Sequence, residues 1–113
     1  MKEKQFALQP LRISDGWTVC SNQFSEYDPV TDGQAHTEEL MQDLLQLRNE
    51  KAGLMIDLGW YPEMDINGRY CMYLLKPDFR RPPLKKLETK FRKEIINALE
   101  KWQLFNFYRK FLI

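Results

Sequence analysis

The side chains best suited to acid–base or metal chemistry in this sequence are its carboxylates, two cysteines and a single histidine. His36 lies in a polar, loop-like stretch without a neighbour that would position it as a base, so we interpret it as a solvated loop residue. Cys20 and Cys71 are far apart in no CxxC arrangement, which predicts buried, reduced thiols rather than a disulfide or a zinc site. We therefore expect no metal and no cofactor.

The carboxylates offer two candidate sites for glycoside hydrolysis or for a hard cation, namely Asp28, Asp32 and Asp43, or Glu63 and Asp65. Asp28 and Asp32 lack the dense spacing of oxygen ligands found in a calcium loop, and a turn accounts for Asp65. The glycines are too dispersed for a phosphate-binding loop. The sequence therefore favours a protein that is not an enzyme.

Charge is distributed unevenly along the chain. Residues 1–68 contain five Lys or Arg and twelve Asp or Glu, whereas residues 69–113 contain twelve Lys or Arg and four Asp or Glu. Such asymmetry indicates an electrostatic partner, unless the two halves interleave in the fold and their fields cancel. No run of residues has the character of a signal peptide or the length of a membrane span, so we expect a cytoplasmic protein without membrane contact.

The basic segment 80–93 mixes cations with aromatic residues, as nucleic-acid-binding surfaces do. The low net charge of +1 argues against a dedicated nucleic-acid-binding protein. A small nucleic-acid-binding regulator is therefore the alternative function, and an ordinary solvated helix face is the simpler interpretation. The residues concerned are Arg80, Arg81, Lys85, Lys86, Lys90, Arg92 and Lys93, with Phe79 and Phe91 beside them.

The acidic stretch 26–65 suits a different partner, because it contains ten acids against two cations. Aromatic residues stand beside carboxylates near its end, and aromatic anchors with an acidic rim favour docking of a basic protein. We expect Trp60 to fill the core, whereas for Tyr61 core and surface are equally open. The predicted partner-binding residues are Asp28, Asp32, Tyr61, Glu63 and Asp65.

The stretch from Gly53 to Lys76 predicts a β-hairpin at the centre of the fold. Its turn is Asp65 to Gly68, with Asp as the side-chain acceptor and Gly expected at positive φ. The return strand after Arg69 is apolar on both faces, which is typical of a strand in the middle of a sheet. Pro62 should interrupt the outgoing strand near its end.

The other elements follow from shorter patterns. Residues 6–24 predict a first hairpin, with a loop after it to His36. Residues 37–51 predict an amphipathic helix capped by Thr37, and a second helix is expected from about Leu87 or Thr89, with a Glu88–Arg92 ion pair on its surface. The predicted order is ββαββα. We expect one α+β domain over residues 1–113, with an antiparallel or mixed sheet of about four strands and two helices packed on one face.

The C-terminal run NFYRKFLI is unusually rich in aromatic residues. It can prolong the second helix, cover a sheet edge, fill the core or form the seam of a homodimer, and aromatic clusters most often fill cores.

Four motifs carry a resemblance: Gly16-Trp17-Thr18-Val19, Asp28-Pro29, Leu44-Leu45-Gln46-Leu47-Arg48 and the run DLGWYPEMDINGRY from Asp57 to Tyr70. Together they resemble small bacterial immunity proteins of contact-dependent growth inhibition and related polymorphic toxin systems. The resemblance implies a cytoplasmic protein that binds and neutralises one cognate secreted toxin domain, often a nuclease, by covering its active or substrate-binding surface. It assigns no binding residue, because contact surfaces in such groups vary with the toxin.

Overall fold

A five-stranded antiparallel sheet is the central element of the computed structural model, which describes residues 6–77 and 81–112. Each strand pairs with the next strand along the chain, so sequence order and sheet order coincide. The α+β class and the antiparallel sheet are confirmed, although the sheet has five strands rather than four. The strands are β1 (Thr18–Asn22), β2 (Leu45–Asn49), β3 (Leu54–Tyr61), β4 (Arg69–Leu75) and β5 (Lys85–Thr89); the helices are α1 (Arg92–Trp102) and α2 (Phe105–Tyr108), with 3₁₀ turns at Thr37–Glu39 and Arg109–Phe111.

One side of the sheet packs against α1 and forms the core. Cross-strand pairs on this side join β3 to β4, as in Leu58 with Met72 and Trp60 with Tyr70, and all four side chains are buried. Burial of one such apolar side chain contributes about 1.5–3 kcal/mol, so this layer is the main source of stability. The predicted core position of Trp60 is confirmed. The α1 residues in the same cluster are Ile95, Leu99 and Trp102.

The predicted helix over residues 37–51 is wrong. Only a 3₁₀ turn forms at Thr37–Glu39, without a side-chain cap, and Leu45–Asn49 is strand β2. The leucines of this stretch fit a helical period, but burial in β2 alternates with the period of two that a strand requires. Pairing with β1 on one side and β3 on the other outweighs local helix propensity.

The second helix begins later than predicted, at Arg92, because Lys85–Thr89 is strand β5. Strand β4 is buried on its core face and partly buried on the other, and β5 supplies the hydrogen-bonding partner for its second edge. The central position predicted for β4 is therefore confirmed. The Thr89 hydroxyl marks the helix start by accepting a hydrogen bond from Phe91 N and donating one to Glu94.

The predicted hairpin over residues 6–24 reduces to a short pairing outside the main sheet. Leu8 and Ser25 form an isolated bridge, and β1 pairs with β2 instead. Cys20 is exposed on β1, contrary to the prediction of a buried thiol, whereas Cys71 on β4 is buried. Within the described residues, no helix is long and apolar enough to cross a membrane.

Candidate functional site

The turn between β3 and β4 is attached to the core by hydrogen bonds. The buried Trp60 donates its indole N–H to Asp65 O at 2.7 Å, and Met64 N donates to Leu40 O at 2.7 Å. The predicted Asp65 turn is confirmed: Asn67 N donates to the Asp65 carboxylate at 2.9 Å and Gly68 N donates to Asp65 O at 2.9 Å. The turn is thus fixed by several independent hydrogen bonds.

Gly68 is required in this turn for a different reason from the one predicted. It does not lie at positive φ. A Cβ at this position would instead overlap Tyr61 O and lie 2.7 Å from Trp60 Nε1. Close approach of the indole, rather than backbone conformation, therefore excludes a side chain here.

The side chains of Glu63, Met64 and Asp65 project from the turn into solvent, whereas the Tyr61 ring folds back over Gly59, with Cε2 3.0 Å from the position that a Gly59 Cβ would occupy. Tyr61 is 36% exposed and Met64 is 53% exposed, and Glu63 and Asp65 are exposed beside them. Met64 has φ of 59°, a left-handed conformation that a side chain of this size rarely adopts. The surrounding hydrogen bonds keep Met64 in this strained conformation, so its side chain is presented outward.

Gly59 brings a second segment onto the same surface. A Cβ on Gly59 would overlap Gln42 O and lie 2.9 Å from the Gln42 carbonyl carbon, so only glycine lets the Gln42 backbone approach β3 this closely. Trp60 N donates to Met41 O at 2.8 Å, and Gln42 N donates to the Glu63 carboxylate at 3.4 Å. The next residue, Asp43, lies near enough to Asp57 and Tyr61, on the side of the sheet that faces away from α1, for its charge to raise the pKa of both.

We call that side of the sheet the open face, because no helix in the described part of the chain packs on it, although Met55 and Cys71 on this face are buried. Strand alternation and register define its residues. It carries Gln46 and Arg48 of β2, Met55, Asp57 and Tyr61 of β3, Arg69, Cys71, Tyr73 and Leu75 of β4, and Lys86 and Glu88 of β5.

Two carboxylates and two tyrosines lie together at the β3 side of the open face; we call Asp43, Asp57, Tyr61 and Tyr73 the acidic–aromatic patch. Asp57 and Tyr73 are cross-strand partners. Burial, and then the charge of Asp43, raise the pKa of Asp57. Burial, followed by the charges of Asp57 and Asp43, raises the pKa of Tyr61. Neither carboxylate forms an ion pair with a Lys or Arg that the structure describes.

The far side of the open face is electrically balanced. Glu88 lies between Lys86 Nζ at 2.7 Å and Arg69 Nη1 at 3.2 Å. The hydrogen bond from Lys86 is the main reason that the pKa of Glu88 is lowered. These two cations are therefore already engaged with a carboxylate.

Arg92 is buried, so the interpretation of the basic segment as one exposed surface is wrong, as is the Glu88–Arg92 ion pair. Its guanidinium donates to Tyr27 O at 2.8 Å, to Gln9 Oε1 at 2.8 Å and to Ser25 O. Arg92 thus fixes α1 to the loop after β1. Arg80 and Phe79 lie outside the described residues, and the exposed cations that the structure describes in this segment are Arg81, Lys85, Lys86, Lys90 and Lys93.

Asp28 and Asp32 belong to a separate loop. Asp32 accepts a hydrogen bond from Asp28 N at 2.8 Å, and Asp28 accepts one from Val30 N at 2.9 Å. Burial, with the charges of Asp32, Glu38 and Asp28 after it, raises the pKa of Tyr27. Both carboxylates therefore have structural roles in their own loop.

The five predicted site residues accordingly form two groups. The structure places Tyr61, Glu63 and Asp65 on one turn, and no described hydrogen bond or ion pair joins them to the loop of Asp28 and Asp32. Sequence reasoning did not identify Asp57, although a glycine in mid-strand at Gly59 was a signal that another segment approaches β3 there.

A cavity of about 450 Å³ lies between the β2–β3 turn and α2. Its only charged lining residues are Asp15 and Lys51, so it has no constellation of a base, a nucleophile and an orienting group. The apolar part of its lining is Ala52, Phe105, Tyr108 and Leu112.

The aromatic C-terminal run is only partly core. Phe107 stacks on Trp102, and Tyr108 meets Trp17 edge-on, whereas Phe105 and Leu112 are exposed. A homodimer through this run stays a prediction.

The described residues contain no group of three or more His, Cys, Asp or Glu side chains placed to hold a metal ion. Comparison of the chain with protein-family models, with curated proteins and with solved structures finds no match. The function is therefore inferred from the geometry of the surface and from the pattern of the sequence.

Proposed function

We propose that this protein is an immunity protein that binds and neutralises a cognate secreted toxin domain through the β3–β4 turn. The observation that carries the proposal is a strained turn, fixed to the core, that exposes Met64 and part of Tyr61 beside the carboxylates of Glu63 and Asp65. Fixed apolar side chains with an acidic rim are suited to a basic protein, such as a nuclease. The resemblance of the sequence to immunity proteins supports the same function.

Binding by this surface uses two physical effects. Tyr61 and Met64 supply apolar area that is buried on association, and because the turn is fixed beforehand, little conformational entropy is lost. The carboxylates attract a basic partner and raise the rate of encounter. Inhibition then requires only that the toxin's active or substrate-binding surface be covered, so the protein needs no catalytic residue of its own.

The alternative function, nucleic-acid binding by segment 80–93, has weaker support. Arg92 is buried and hydrogen-bonded to backbone carbonyls within the fold, and Lys86 is paired with Glu88. The exposed cations that remain are spread over the β4–β5 connection, β5 and α1. A phosphate backbone would meet fewer free cations than the sequence suggests.

Glu63→Lys tests the proposed function. We expect the change to weaken the complex with the cognate toxin domain by about 2 kcal/mol, or roughly 30-fold in Kd, because it reverses a charge in the interface. The free energy of unfolding should change by no more than about 0.5 kcal/mol, because Glu63 is exposed and its hydrogen bond from Gln42 N is long. Calorimetric titration and protection of cells that express the toxin are the measurements.

Lys93→Glu on α1 is the matched control, since Lys93 is exposed and lies in the basic segment. Arg92 is unsuitable as a control because its substitution would break three buried hydrogen bonds. Unchanged binding by Glu63→Lys together with lost binding by Lys93→Glu would contradict the proposal and would place the contact on the basic half.

A further inference from the structure

The open face combines features that a folded monomer does not need. Tyr61 and Tyr73 stand on neighbouring strands, and Asp57 lies directly across from Tyr73 in the strand register. The face is covered by no helix among the described residues. A sheet face that carries partly exposed aromatic rings and has no covering helix is suited to being covered by another molecule.

The charges of the acidic–aromatic patch determine the chemistry of that molecule. Asp43 and Asp57 are near enough to repel each other, and no described cation neutralises either of them. Asp57 is partly buried, so its charge is poorly hydrated. A cation brought to this position would gain two carboxylates and the faces of two aromatic rings.

We propose that the open face receives one Arg or Lys side chain of the bound protein, with the cationic group between the carboxylates of Asp43 and Asp57 and against the rings of Tyr61 and Tyr73. The inference rests on the proposed function, because it names the part of a basic toxin domain that the patch takes. A guanidinium fits especially well, since it bonds carboxylates through a planar fork and stacks on aromatic rings.

Nucleic acid fits this face less well. Stacking of bases on Tyr61 and Tyr73 would bring phosphates towards Asp43 and Asp57, which repel them. The two carboxylates thus select a cationic side chain over a base.

The first test uses the free protein and needs no toxin. The probe is N-acetyl-arginine methylamide, followed by NMR, with the neutral isostere N-acetyl-citrulline methylamide in parallel. We expect saturable shifts at the amides of Asp57, Tyr61 and Tyr73 with the arginine compound only, and a fall in the pKa of Asp57 on saturation. Asp57→Asn should weaken binding by about tenfold, because one charge-assisted hydrogen bond is lost.

Glu50→Gln is the matched control, since it removes one exposed carboxylate from the β2–β3 turn, away from the patch. Equal shifts with the citrulline compound, no saturable shift in the wild type, or equal binding by wild type and Asp57→Asn would overturn the inference. Single-stranded RNA shifting the same amides in place of the arginine compound would overturn it too.

The second test uses the complex and separates the two proposals. We expect Asp57→Asn to weaken the toxin complex by at least about tenfold and Glu50→Gln to leave it unchanged. A complex that is weakened by Glu63→Lys but not by Asp57→Asn would leave the proposed function standing and refute the cation site. If the arginine compound binds at the patch but the protein forms no complex with a toxin domain, the cation site stands and the proposed function is refuted.

Discussion

Asp57 is a carboxylate in an unfavourable place. Burial and the neighbouring charge of Asp43 raise its pKa, and the other groups that face it, Tyr61 and Tyr73, are neutral at physiological pH. The folded pKa therefore lies above the value of 3.8 that applies to the unfolded chain. Between these two pKa values Asp57 ionises more readily in the unfolded chain than in the folded protein. The ionised carboxylate therefore destabilises the fold at neutral pH. Carboxylates arranged at such a cost are common at binding surfaces.

Asp57→Asn should therefore stabilise the protein at pH 7, by up to about 1 kcal/mol, because the unfavourable charge is removed. The gain should shrink as pH falls through the folded pKa of Asp57 and should vanish by about pH 2.5, where the aspartic acid is protonated in both the folded and the unfolded state. Urea unfolding at the two pH values measures the difference, with Glu50→Gln as the control. A loss of stability at pH 7 would show that the carboxylate makes a favourable contact in the fold.

Single residues were predictable where their role is local. The Asp65 turn follows from four consecutive residues, and the burial of Trp60 follows from its size and its strand. The role of Arg92 was not predictable, because its acceptors Ser25 O and Tyr27 O are backbone atoms more than sixty positions away in the sequence. Backbone carbonyls carry no sequence signal, so a buried arginine and a surface arginine look alike.

At the scale of elements, the β3–β4 turn combines strain with exposure. Met64→Gly should stabilise the protein by up to about 1 kcal/mol, because glycine adopts the φ of 59° without steric cost, although it adds entropy to the unfolded chain. The same change should weaken toxin binding, since the exposed thioether side chain is lost. Thermal unfolding and calorimetric titration measure the two effects.

Met64→Ala is the control for this prediction, because alanine keeps the steric cost of positive φ and also lacks the thioether. It should weaken binding without stabilising the protein. Equal stability of the glycine and alanine variants would mean that the turn relaxes and stores no strain.

The central hairpin was predictable as an element, and β2 and β5 were not. The hairpin has a turn and alternation within one short stretch, so local signals suffice. In residues 37–51 the same leucines satisfy a helical and a strand period, and only pairing with β1 and β3 decides between them. Strand β5 is rich in charged residues, so its sequence does not indicate a strand. It is stabilised by backbone hydrogen bonds to the second edge of β4.

At the scale of the whole molecule, the strands follow the charge halves of the sequence in order, although β1, β2 and β3 themselves contain only Arg48 and Asp57 as charged residues and the other acids of that half lie outside the strands. Sheet order follows chain order, so β1, β2 and β3 belong to the acidic half and β4 and β5 to the basic half. Interleaving of the two halves, the alternative that the sequence left open, does not occur within the sheet. The acidic–aromatic patch lies near the boundary, with its carboxylates on the acidic side.

The most direct test of the central claim is amide hydrogen exchange of the protein alone and in complex with the toxin domain. Binding through the β3–β4 turn predicts slower exchange in the complex at the amides of Tyr61, Glu63, Met64 and Asp65, and at those of the neighbouring Gln42 and Asp43. Exchange in β5 and in the C-terminal segment 104–112 should be unchanged. Protection confined to β5, α1 or the C-terminal segment, with residues 61–65 exchanging as in the free protein, would contradict the claim.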